Sequence, residues 1–184
     1  MSSKNKKLEQ FFKLIADQFQ YGGKKYALSG ENMKESTDVL FEQHGASWLF
    51  GTSHKYCFRY RNLKRERDLL KIATYQFITW LKRGFFCKQG GTVDALETSL
   101  TIKELFFPKF CSIVESQVEH FEVKGGDPIQ IIGNLLSMWS DKPWEEITED
   151  EIITVFLLAF KVWESDFGTE GGKDKDTWLE ENEK

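Results

Sequence analysis

The sequence predicts an all-α protein: a compact helical bundle of about six to eight helices with a disordered acidic C-terminal tail. Three observations lead there. Apolar residues recur at spacings of three and four along most of the 184 residues, which is one face of a helix. Capping boxes and glycine pairs separate those stretches. No alternating run is long enough for a sheet, and no segment repeats.

Taken in order, Leu8, Phe11, Phe12, Ile15 and Phe19 mark an amphipathic first helix, expected to end at Gly22-Gly23. A second is expected over Glu31 to His44 with a stop at Gly45, a third over Ala46 to Tyr60, and a fourth from Arg65 to Arg83. Lys88-Gln-Gly-Gly91 is the clearest break. Beyond it, Thr101 and Glu104 have the spacing of a capping box, and Pro108 is expected in the first turn of another helix. Asp127-Pro128 should open a helix through Trp139, and a second capping box, Thr148 with Glu151, a strongly apolar one through Trp163. Residues 164–184 carry eight acidic and three basic side chains, with Trp178 and Leu179 as apolar residues able to dock. The expected organisation is a single domain over 1–167, with sub-layers 1–87 and 92–167, and a flexible tail over 168–184.

An apolar fraction of 40% and an aromatic fraction of 15% argue against global disorder. The apolar runs fall short of the ~20 residues that span a bilayer, and the opening MSSKNKKLEQFF has no apolar signal core, so a cytoplasmic protein is expected. Cys57, Cys87 and Cys111 form no CxxC pair, which suits reduced thiols; His44, His54 and His120 lack zinc-site spacing.

Against a net charge of −4, residues 54–71 hold seven cations (Lys55, Arg59, Arg61, Lys64, Arg65, Arg67 and Lys71) and only Glu66 and Asp68 as acids. Such asymmetry is expected where one face meets a polyanion. Lys55, Arg59 and Asn62 continue one face of the third helix, and Asp68, Lys71 and Tyr75 one face of the fourth. Two helices meeting at residues 61–65 would bring these groups into one cleft, with Arg as a bidentate fork and Lys as a movable charge for phosphate. A compact cluster suits a mononucleotide rather than a duplex, so a nucleotide is the expected partner and nucleic acid is disfavoured.

On the second helix Glu31, Glu35, Asp38 and Glu42 share one side. Carboxylates at that spacing, Glu35 and Asp38 above all, are candidate Mg²⁺ ligands beside a cationic cleft. The same acids could equally pair with the cations of the next two helices as salt bridges. No P-loop, dinucleotide fingerprint, GxSxG or credible catalytic triad is present, and His54 reads as a polar surface contact.

Phe50-Gly51, Lys55-Tyr56, Arg59 and Asp68-Leu69-Leu70-Lys71 with Ala73 and Tyr75 resemble the signature of small phage proteins described as nucleotide kinases. The Lys55-Tyr56 and Asn62 stretch is similar to phage dATP/dGTP diphosphohydrolases, and the acidic helix to all-α nucleoside triphosphate pyrophosphohydrolases that hold Mg²⁺. The resemblance spans about 25 of the 184 residues and implies a phage-type protein that handles nucleotides, with Lys55, Arg59, Asp68 and Lys71 as the matched positions.

The expectation is therefore Mg²⁺-dependent hydrolysis of a nucleoside triphosphate. Lys55, Arg59, Asn62 and Lys71 would hold phosphates, Tyr56 and Tyr75 would stack on the base, and Glu35 and Asp38 with Asp68 would serve metal and water. Phosphoryl transfer, metal-free sequestration of a nucleotide, and a protein-interaction module remain alternatives. The last draws on Phe106, Phe107, Phe110, Trp139, Trp144 and Trp163, which a homo-oligomer could bury.

Overall fold

A computed structural model describes residues 3–26, 36–87 and 98–168. They form seven α-helices, α1 (Ser3–Tyr26), α2 (Ser36–His44), α3 (Ala46–Leu63), α4 (Glu66–Lys82), α5 (Leu100–Val118), α6 (Pro128–Asp141) and α7 (Glu149–Asp166), with a 3₁₀ turn at Trp144–Glu146. No strand occurs among the described residues, and none of their helices is long and apolar enough to cross a membrane. Glu31, Glu35, the Lys88–Gly91 break and the tail beyond Gly168 lie outside the described residues.

The antiparallel pair of α4 and α7 forms the centre. Trp80, late in α4, donates its indole N–H to Glu149 at the start of α7 (2.6 Å), and Trp163, late in α7, donates to Glu66 at the start of α4 (2.7 Å). Each carboxylate thus sits at a helix N-terminus, where the partial positive charge of the backbone dipoles favours it. Helices α1 and α5 cover one side of this pair, and α3 and α6 pack together on another. The core is largely aromatic. Phe11 meets Phe156, Phe160 and Trp163, and Phe77 meets Phe107 and Phe110, in tilted and edge-on arrangements, while Phe77 stacks on Trp80. Helices on both sides of residues 88–97 contribute to one continuous apolar cluster.

Local signals succeed where they act alone. Thr148 and Glu151 form the expected capping box, and Asp127 caps α6 by accepting from the Ile129 N–H. Three expectations are corrected. First, α1 runs through Gly22-Gly23; glycine costs about 1 kcal/mol relative to alanine in a helix, a penalty rather than a stop, and it does not outweigh an apolar face anchored by Phe11 and Phe19. Second, α5 is capped by Ser99, whose hydroxyl accepts from the Ile102 N–H, rather than by Thr101. Third, Pro108 lies inside α5 and not in its first turn, on an exposed position where only one backbone hydrogen bond is forgone. Gly45, at φ +64°, supplies the left-handed joint between α2 and α3.

The six aromatic residues weighed as an exposed interface pack inward instead. Phe107, Phe110, Trp139 and Trp163 are buried; Phe106 lies 4.3 Å from Phe86, and Trp144 lies against Phe41 and Phe50 (ring centroids).

Candidate functional site: an aromatic and cationic cavity

Helix α3 ends in a left-handed Lys64 (φ 50°), and α4 begins two residues later, so the facing sides of α3 and α4 lie together. The periodicity then places Tyr56 of α3 opposite Tyr75 of α4. Their rings stack with centroids 6.0 Å apart and planes 21° apart, and Trp48 meets Tyr75 edge-on at 5.7 Å. On Tyr56 rest two cations, the Lys55 ammonium 4.8 Å and the Arg59 guanidinium 5.6 Å from its ring centroid. A π-face attracts a cation electrostatically, by about 0.5–1 kcal/mol where the site is exposed.

Beside these rings lies a cavity of about 170 Å³. Trp48, Tyr56 and Tyr75 form its aromatic wall; Lys71, Gln18 of α1 and Lys103 of α5 supply polar groups, and Thr74 also lines it. Lys103 and Gln18 are almost fully buried, each 3% exposed. Thr74 turns its hydroxyl to the Leu70 carbonyl (2.7 Å), which leaves its methyl group to pack. Three residues singled out in the sequence, Tyr56, Lys71 and Tyr75, thus share one cavity, with Lys55 and Arg59 next to it.

The remaining candidates are placed elsewhere. Asn62 is exposed and donates back to the Phe58 carbonyl of its own helix (2.9 Å), so it does not line the cavity. Asp38 is buried, not part of a solvent-facing acidic side. Its carboxylate accepts from Lys82 Nζ (2.6 Å), Thr98 N (3.0 Å) and Thr98 Oγ1 (2.7 Å). The salt-bridge alternative therefore holds at Asp38, and oxygens so engaged are poor ligands for a hydrated cation. Glu42, one turn on, is exposed. Among the described residues no three His, Cys, Asp or Glu side chains converge to hold a metal ion. Of the Glu35 and Asp38 pair expected to hold Mg²⁺, Glu35 lies outside the described residues and Asp38 is engaged by Lys82 and Thr98.

Asp68 has the most unusual setting. It is fully buried, neither carboxylate oxygen accepts a hydrogen bond, and its nearest cation is Arg59 Nη2 at 3.5 Å. Burial pushes its pKa above the ordinary carboxylate value; Arg59, Arg67, Arg65 and Lys55 act in the opposite direction. Cys57 and Cys111 are inert by comparison. Burial pushes the Cys57 thiol up to about 11 and the Cys111 thiol up to about 12, so neither offers a thiolate at neutral pH. His54 Nε2 lies 3.4 Å from Ser137 Oγ on the surface, with both residues exposed.

Sequence reasoning missed Trp48, Gln18, Thr74 and Lys103. Trp48 had a usable signal, since it precedes Tyr56 by eight residues, close to two turns, on the same helix. Gln18 and Lys103 had none, because only tertiary packing brings α1 and α5 to this place. Comparison of the chain with family models, curated proteins and solved structures finds no match.

Proposed function

We propose that this chain binds a nucleotide, with its base against Tyr75, Tyr56 and Trp48 and its phosphates toward Lys71 and Lys103. The observation that carries the reading is the convergence of stacked aromatic rings and two lysines on one cavity, with two further cations over the adjoining Tyr56 ring. Aromatic faces accept any base, at about 1–3 kcal/mol each, and lysine and arginine supply charge for phosphate. The cavity is smaller than the about 300 Å³ at which pockets begin to enclose a whole drug-sized ligand. It suits a base or a phosphate group, with the rest of the nucleotide at the surface.

The described residues support binding more directly than turnover, because Asp38 is committed to Lys82 and Thr98. A panel of nucleoside mono-, di- and triphosphates incubated with the protein, with Mg²⁺ or with EDTA, and resolved by ion-exchange chromatography tests both levels. Retention of a nucleotide by the protein under both conditions is the expected result. Conversion that EDTA abolishes would extend the reading to a Mg²⁺-dependent hydrolase or kinase. Absence of both retention and conversion would overturn it.

A further inference from the structure

Helix α1 brings to the cavity one group that neither the stacked rings nor the lysines explain. The buried Phe11, Ile15 and Phe19 anchor that helix, and their packing sets Gln18 at the cavity wall. Gln18 is 3% exposed, and its side-chain amide makes no hydrogen bond with any described residue. A buried amide without a partner costs free energy, and a methionine of similar length would fill the same space without that cost. The amide therefore points to a partner that enters the cavity.

The chemistry of the lining says which part of a nucleotide that partner is. Ammonium groups only donate, whereas the Gln18 amide sets a carbonyl acceptor beside an N–H donor in one plane, and no other described side chain of the lining does so. A phosphate group carries acceptors alone. It would use the amide N–H and leave the carbonyl oxygen facing an anion, and the lining Phe19, Leu40 and Ile78 would strip its water without replacing it. A flat ring meets the same surfaces favourably, its face on the aromatic wall and its edge toward the amide. Resting on the nucleotide reading above, we infer that the enclosed part of the cavity takes the base and that Gln18 selects it, pairing with a ring edge that sets a donor beside an acceptor. The phosphates are left to the cations. A two-point pair of this kind is how an amide side chain discriminates among bases, because an edge that lacks the donor strands the amide carbonyl.

Titration calorimetry on the full chain tests this with ligands cut at the edge. ATP and GTP are set against purine riboside triphosphate, and CTP and UTP against pyrimidin-2-one riboside triphosphate, two analogues whose base edges keep acceptors only; inorganic triphosphate stands for the phosphates alone. The nucleotide that the parent protein binds most tightly should exceed its own analogue by about tenfold or more, and inorganic triphosphate by at least as much. Gln18→Met should bring the ratio of nucleotide to analogue to about one, with the affinity for the analogue parent-like and circular dichroism unchanged. An analogue bound as tightly as its nucleotide by the parent, a comparison that needs no variant, would overturn the inference and leave nucleotide binding standing. So would a ratio that survives Gln18→Met. Inorganic triphosphate bound as tightly as the best nucleotide would overturn it by placing phosphate in the cavity. Binding of none of these nucleotides would overturn it together with the nucleotide reading.

Discussion

Asp68 shows at the scale of one residue what a spacing rule conveys and what it omits. The offsets from Asp68 to Lys71 and Tyr75 place the three on neighbouring faces of α4, but no offset says that α3 will close over the first and leave the other two at a cavity. A carboxylate that reads as a ligand for metal and water is instead sealed against Arg59 without a hydrogen bond. The thermodynamic consequence has a definite sign. Because the folded-state pKa lies above the ordinary 3.8, the folded protein binds more protons than the unfolded chain in the interval above that value. Stability therefore falls as pH rises through the interval, and the loss persists at neutral pH. Asp68→Asn removes the ionisable group while keeping its shape. It should raise stability at pH 7, because a neutral amide is spared the cost of burying the charged form, although it remains a buried polar group. Urea midpoints at pH 4 and pH 7 check this: the gap between variant and parent should widen at the higher pH. A variant less stable than the parent at pH 7 would mean that Arg59 contributes more than burial costs.

At the scale of elements, signals that act within a turn were legible and signals that depend on a neighbour were not. The Thr148–Glu151 box and the Asp127 cap were readable because donor and acceptor lie three residues apart or fewer. Thr148→Ala should cost about 1 kcal/mol by the ordinary value of such caps, seen as a lowered midpoint of thermal unfolding. The α1 glycines and Pro108 misled because each is a local penalty, and packing against α4, α5 and α7 overrides it. Asp38, Lys82 and Thr98 illustrate the same limit across three segments. This buried pair, with both side chains 3% exposed, ties α2 and the lead into α5 to the end of α4. Lys82→Met would strand the carboxylate and should destabilise by about 3–5 kcal/mol. Adding Asp38→Leu to it should recover most of that loss. Chemical denaturation of the two variants measures the coupling; equal losses in both would show that the cost lies in packing rather than in an unpaired charge.

For the whole molecule, the fold class followed from periodicity, while the cavity depends on five helices from across the chain. Tyr56, Lys71 and Tyr75 were legible as a group because consecutive helices with a short connection become neighbours. Lys103 was not, since it lies thirty-two positions after Lys71 and only the docking of α5 beside α1 and α4 brings it in. The opening charge asymmetry likewise divides only in three dimensions, between cations at the cavity, cations over Tyr56 and cations at the α3–α4 turn. The central claim is that the cavity, not the charged surface at large, selects the ligand. Equilibrium dialysis with a nucleotide retained by the parent protein tests it most directly, comparing Lys71→Met and Tyr75→Leu with Asn62→Ala, whose side chain is turned back on its own helix. The expected result is at least a tenfold loss of affinity in each of the first two and no change in the third; parent-like affinity in Lys71→Met and Tyr75→Leu would contradict it.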